Sequence, residues 1–176
     1  PQRAAEVALL FAADTNALER FKSEIKLARR IAHRNVVRTY DLGEVGGLYY
    51  ISMEFVEGKS LKDLIQDRGR LPTSVVLPIA KQLCRALEVS HGEGVIHRDI
   101  KPQNMVVQSD GVLKVMDFGI ARLVTRPKES GQTEAGMVVG TPEYMAPEQL
   151  MGDEIDARAD LYATGCVLYE CLTGRV

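Results

Sequence analysis

The chain has 176 residues, 45% of them apolar, which is enough for one domain with a substantial core. A formal net charge of −2 gives no reason to expect nucleic acid or an anionic membrane as a partner. No apolar run approaches the ~20 residues of a membrane span. Three scattered cysteines, Cys84, Cys166 and Cys171, fit buried thiols in a reducing compartment rather than a disulfide framework.

In chain order, Leu18, Phe21, Ile25, Ala28 and Ala32 recur at spacings of three and four with charges between them, which predicts an amphipathic helix. Asp14, Thr15 or Asn16 can cap its start, and His33-Arg34-Asn35 ends it. Val36-Val37-Arg38-Thr39-Tyr40 and residues 48–55 predict β-strands joined by a turn at Gly46-Gly47. A short helix is expected over 61–66. A longer one is expected over 73–91, with Val75, Val76, Ile79, Leu83 and Leu87 facing inward. Pro78 lacks a backbone donor and should kink that helix near its start, and Gly92 and Gly94 close it. Two short strands, 105–107 and 113–115, flank an Asp110-Gly111 hairpin turn. Residues 126–136 are polar and Gly-rich and predict a mobile loop, and an apolar helix over 159–172 follows. Few strands followed by many helices predict an α+β fold.

The chemistry-bearing residues lie in three segments. His97-Arg98-Asp99-Ile100-Lys101-Pro102-Gln103-Asn104 supplies an acid, a lysine two residues on and an amide. Asp117-Phe118-Gly119 adds a second carboxylate, and Gly140-Thr141-Pro142-Glu143-Tyr144-Met145-Ala146-Pro147-Glu148 follows. Transfer of a phosphoryl group needs alignment and neutralisation of charge more than covalent help. Amide and carboxylate oxygens suit Mg²⁺, which takes few protein ligands when phosphates supply the rest. Together the segments resemble the catalytic domain of eukaryotic-type protein Ser/Thr kinases, bacterial members most of all, from about Asn16 to Val176.

That resemblance implies a two-lobed α+β fold, with residues 12–56 as the remainder of the first lobe and its hinge and 57–176 as part of the second. It implies in-line transfer of the γ-phosphoryl group of ATP, with Mg²⁺, to Ser or Thr side chains of proteins. Asp99 would be the base, Lys101 would offset the charge of the transferred group, and Thr141 would contact both. Asn104 and Asp117 would hold the metal. For the nucleotide, Met53 would stand behind the adenine, with the Glu54 carbonyl and the Val56 amide as its partners. Val106 would also contact the nucleotide, and Glu24 would grip a strand lysine facing the phosphates. Asp160 would support the catalytic loop from below. Arg98 would pair with a phosphate on Thr125, Ser130 or Thr133, of which Thr133 is favoured because it lies closest to Thr141. A cytoplasmic location, and self-association for autophosphorylation, belong to the same expectation.

The sequence departs from the family at its start. The phosphate-covering Gly-rich loop is not present, and Leu10 stands where the strand lysine would be if Glu6-Val7-Ala8-Leu9-Leu10 is that strand. The expectation is therefore a domain incomplete at both ends and weak or inactive on its own. Two readings stay open at this point. One is a Ser/Thr protein kinase catalytic domain; the other is a non-catalytic kinase-like module that binds nucleotide or a partner protein. A small-molecule kinase fits less well, because Ala146-Pro147-Glu148 matches the segment that shapes a peptide-binding shelf.

Overall fold

A computed structural model describes residues 5–10, 15–45, 48–118 and 141–176. The cap at Asp14, the turn at Gly46-Gly47, Gly119, Gly140, and the polar loop with Thr125, Ser130 and Thr133 lie outside the described residues. The chain forms a mixed α+β fold with two small sheets and several helices.

The first sheet is antiparallel, in the order β1 (Ala5–Leu10), β3 (Leu48–Glu54), β2 (Thr39–Val45). Helix α1 (Thr15–Ala28) packs on it through Ile25, which shares a small core with Val37, Ile51 and Met53. The helix stops at Ala28, earlier than His33-Arg34-Asn35, because Arg29 and Arg30 already form a turn. The strand expected over 36–40 is displaced as well. Val36 and Val37 leave the first sheet to meet Val115: the Val37 N–H donates to the Val115 carbonyl at 2.8 Å, and the Val115 N–H donates to the Asn35 carbonyl at 2.9 Å. The strand proper therefore begins only at Thr39.

The second sheet is β4 (Lys59–Ser60), β5 (Met105–Val107) and β6 (Leu113–Val115), with Met105 opposite Val115. The β5–β6 turn covers Gln108 to Gly111, closed by the Gly111 N–H on the Gln108 carbonyl at 2.9 Å. Gly111 has φ 81°, a left-handed conformation that glycine adopts without steric cost, and the Asp110 carboxylate accepts the Val112 N–H. Asp110-Gly111 thus sits at the end of the turn rather than forming a two-residue one.

Helix α2 (Leu61–Arg68) starts at Ser60, whose hydroxyl accepts the Asp63 N–H, and outruns its expected end by two residues. Helix α3 (Thr73–Gly92) is continuous through Pro78, where the acceptor left without a donor lies in the exposed first turn. Helices α4 (Pro147–Met151) and α5 (Ala157–Thr173) complete the order. The larger core forms where Leu83, Ala86 and Leu87 of α3 meet Ala163, Val167 and Cys171 of α5, at helical spacings of three and four. Each buried leucine there contributes about 1.5–3 kcal/mol relative to exposure. Asn35, 1% exposed, ties this core to the first sheet's exit by donating to Gln82 and to the Leu113 carbonyl, both at 2.8 Å.

Candidate active site

The segment from His97 to Asn104 holds its shape because side chains meet the N–H groups of His97, Arg98 and Asp99 and the carbonyls of Arg98 and Asp99. His97 is fully buried; its Nε2 donates to the Met116 carbonyl at 2.8 Å and its Nδ1 accepts the Asp99 N–H at 3.2 Å. Those two bonds fix the tautomer. The ring stands edge-on to Phe118, with centroids 4.5 Å apart. Arg98 has φ 69°, a conformation that costs a non-glycine residue on the order of 1–3 kcal/mol unless its surroundings enforce it. Here they do. Asp160, 1% exposed on α5, accepts the His97 N–H through Oδ2 and the Arg98 N–H through Oδ1, both at 2.8 Å. His91 Nε2 closes on the same Oδ2 at 2.7 Å, and Gln149 Nε2 donates to the Arg98 carbonyl at 2.9 Å.

Past that pinned residue, Asp99 becomes the meeting point of two neighbours. Lys101 Nζ lies 2.7 Å from Asp99 Oδ2, and Asn104 Nδ2 donates to the same oxygen at 2.9 Å and to the Asp99 carbonyl at 2.9 Å. Asp99 Oδ1 makes no hydrogen bond among the described residues, and the side chain is one-quarter exposed. Pro102 opens a single 3-10 turn, Pro102–Asn104, that carries Asn104 back over Asp99. Because Asn104 turns its amide nitrogen to Asp99, its Oδ1 remains as a hard oxygen donor. The Met116 N–H donates to the Asn104 carbonyl at 3.0 Å, which sets the next residue, Asp117, beside it. Asp117 has φ 64°, the second of the two left-handed non-glycine residues among those described.

Two oxygen donors, from Asn104 and Asp117, fit Mg²⁺ better than a transition metal, and fit it as an ion that phosphates help to hold. No group of three or more His, Cys, Asp or Glu among the described residues could hold a metal by itself.

The remaining sequence candidates lie around this centre to differing degrees. Met53 is buried in the smaller core, with Val56 packed against its edge. Val106 pairs with Ser60 and Lys114, and it lies so close to Gly58 that a Cβ there would come within 2.7 Å of Val106 Cγ1. Glu54 directs its side chain to Lys114 Nζ at 2.7 and 2.9 Å, and its backbone N–H donates to the Arg38 carbonyl at 2.8 Å. Glu24 is half-buried on α1, and none of the residues of β1 is a lysine. Thr141 is half-buried and precedes a 3-10 turn, Pro142–Tyr144, but makes no hydrogen bond to Asp99 or Lys101.

The family model for the protein kinase domain matches residues 7–176. The chain belongs to that family. The match includes most of β1, the segment whose membership the sequence left open. The chain is 44% identical over 167 residues to the serine/threonine-protein kinase PknB of Mycobacterium leprae, covering 93% of this chain and 26% of that protein. It is 43% identical over 166 residues to a probable serine/threonine-protein kinase of Clostridium acetobutylicum, covering 94% and 25%. The PknB of Mycobacterium tuberculosis is 42% identical over 169 residues, covering 93% and 26%. The chain thus spans about a quarter of the length of these curated relatives. No helix among the described residues is long and apolar enough to cross a membrane.

Sequence reasoning missed three supports of this kinase domain. Gln149 bridges α4 to the pinned loop, accepting the Ala146 N–H at 2.9 Å while donating to Arg98. Gln82 Oε1 accepts both from Asn35 and from the Leu113 N–H. Glu170, 2% exposed, receives Lys62 Nζ at 2.6 Å and the Tyr144 hydroxyl at 2.5 Å, so α2, α5 and the segment after Thr141 meet at one carboxylate. Burial, reinforced by the bond to Glu170, holds the Tyr144 phenol well above the usual tyrosine range. A signal for Glu170 existed: it is an acid on the buried phase of an apolar helix, three residues after Val167.

Proposed function

We propose that this chain performs the chemical step of a Ser/Thr protein kinase, the transfer of the γ-phosphoryl group of ATP to a serine or threonine hydroxyl of a protein. The observation that carries the reading is the convergence of Lys101 Nζ and Asn104 Nδ2 on one oxygen of Asp99, which leaves the other oxygen open. That open Oδ1 accepts the proton of the attacking hydroxyl. Holding Oδ2 from two sides fixes the direction in which Oδ1 points, and a base must be within hydrogen-bond reach of its proton. Lys101 carries a positive charge to the place where the phosphoryl group passes. Asn104 and Asp117 would hold Mg²⁺, which neutralises phosphate charge when bound. Asp160 and Gln149 act through Arg98 as positioning residues, since neither touches the reacting atoms.

Serine and threonine as acceptors, rather than tyrosine, are supported by Lys101 two residues after the base. A protein rather than a small molecule is supported by the order of 141–148, where Tyr144 is anchored on Glu170. The full-length protein, incubated with radiolabelled Mg²⁺-ATP and mixed protein substrates, should yield phosphoserine and phosphothreonine. Mg²⁺-ATP binding with no transfer to any protein would favour a non-catalytic module, and phosphorylation of small molecules alone would also refute the proposal.

A further inference from the structure

The connection between α1 and β2 concentrates a charge that the chain as a whole does not have. Residues 29–38 hold Arg29, Arg30, Arg34 and Arg38 with His33 and no acid, in a chain of net charge −2. Arg29 is paired with Asp41 at 3.2 Å. Arg34 and Arg38 are exposed, and their guanidinium groups meet no acceptor among the described residues. Both line a cavity of about 420 Å³ bounded on its other side by Glu54 and Lys114, with Ile31 and Val36 as an apolar wall. A volume of that order holds a small organic ligand.

The one carboxylate in this wall does not oppose an anion. Both Glu54 oxygens lie within 2.9 Å of Lys114 Nζ, and Oε2 also accepts the Arg38 N–H at 3.2 Å. Glu54 and Lys114 cancel, so the two arginines set the sign of the cavity. His33 adds a ring donor: its Nδ1 accepts the Asn35 N–H at 3.3 Å, which places the ring hydrogen on Nε2. Two forked guanidinium groups and a ring N–H around a half-apolar hollow match a dianion carried on an organic body. A phosphate monoester has close to two negative charges at neutral pH.

We propose that this cavity binds a small phosphate monoester, its phosphate held by Arg34, Arg38 and His33 and its organic part lying against Ile31 and Val36. None of Asp99, Lys101, Asn104 and Asp117 lines the cavity, which shares only Glu54 with the residues considered for the nucleotide, so the proposal does not rest on that reading.

The test is a titration of the 176-residue chain with phenyl phosphate, read by calorimetry and by amide chemical shifts. A saturating non-hydrolysable ATP analogue with Mg²⁺ is present to fill any nucleotide site. The expected result is saturable binding with shifts confined to residues 31–40, 54 and 114, weakened at least about tenfold in Arg34→Ala/Arg38→Ala through loss of charge-assisted hydrogen bonds. Inorganic phosphate should bind more weakly than phenyl phosphate, and phenol should not bind. Arg34→Gln alone gives the same reading at smaller size if the double variant loses the native circular dichroism spectrum. No saturable binding would overturn the proposal. So would undiminished binding in both variants, shifts centred on Asp99 and Asp117, or equal affinity for inorganic phosphate.

Discussion

Asp160→Asn is the substitution whose cost follows most directly from the geometry. The Asp160 side chain is 1% exposed and its two oxygens accept two backbone N–H groups at 2.8 Å, with His91 Nε2 at 2.7 Å from Oδ2. Asparagine keeps the shape but turns one oxygen into a donor. If the amide nitrogen replaces Oδ1 it faces the Arg98 N–H; if it replaces Oδ2 it faces the His97 N–H. Either orientation removes one hydrogen bond to a charged acceptor, worth about 1.5–3 kcal/mol, and leaves a buried N–H unmet at a similar cost. Partial relaxation of the loop returns some of this, because Arg98 can leave its left-handed conformation. The expected loss is about 2–4 kcal/mol. Urea unfolding followed by circular dichroism measures it. Asp156→Asn, four residues earlier, is the control: Asp156 is the exposed cap of α5, accepting the Arg158 N–H at 2.8 Å, and asparagine caps nearly as well. That control should change stability by less than about 0.5 kcal/mol. Equal effects of the two substitutions, or a loss below about 1 kcal/mol at Asp160, would refute the argument that Asp160 holds the loop.

Three further outcomes follow from buried groups. Tyr144→Phe should cost about 1.5–3 kcal/mol at neutral pH by removing the bond to Glu170. The raised Tyr144 phenol stabilises the fold fully below its unfolded value near pH 10 and progressively less as pH rises above it, so Tyr144→Phe should flatten the alkaline decline in stability; an unchanged slope would contradict this. Burial pushes the Cys171 thiol up to about 11, so at pH 8 a thiol reagent should label exposed Cys84 in the native chain and Cys171 only on unfolding, which peptide mapping would show. Asn35→Ala should lose about 1–3 kcal/mol in urea unfolding, because the Leu113 carbonyl and Gln82 lose a shared buried donor.

How much was legible in the sequence depended on whether a residue's partner was near it in the chain. The strands Met105–Val107 and Leu113–Val115 fall where expected, since a hairpin is a local object. Helix α3 was read to within a residue because Ile79, Leu83 and Leu87 keep its period over many turns. Val36 and Val37 looked like strand residues of the first sheet, and their β-branched side chains are indeed buried. Their partner is Val115, almost eighty positions later, and no local pattern shows that. At the site, Asp99, Lys101 and Asn104 are close in the chain, and their side chains meet at one oxygen of Asp99. Thr141, some forty residues on, comes near no hydrogen-bond partner in that set. Glu170, Gln149 and Gln82 went unread because each satisfies groups from distant segments, which only the packed structure brings together.

If Asp99 takes the proton in phosphoryl transfer while Asn104 and Asp117 hold the metal, loss of the Asp99 carboxylate should stop the chemistry and spare nucleotide binding. The most direct measurement is a single-turnover assay of the full-length protein with Asp99→Asn, run beside a Mg²⁺-dependent ATP-binding titration of the same variant. Transfer should slow by about 10²–10⁴-fold with Mg²⁺-ATP affinity nearly unchanged, because the base is lost and the metal donors remain. Near-normal transfer by Asp99→Asn would contradict it.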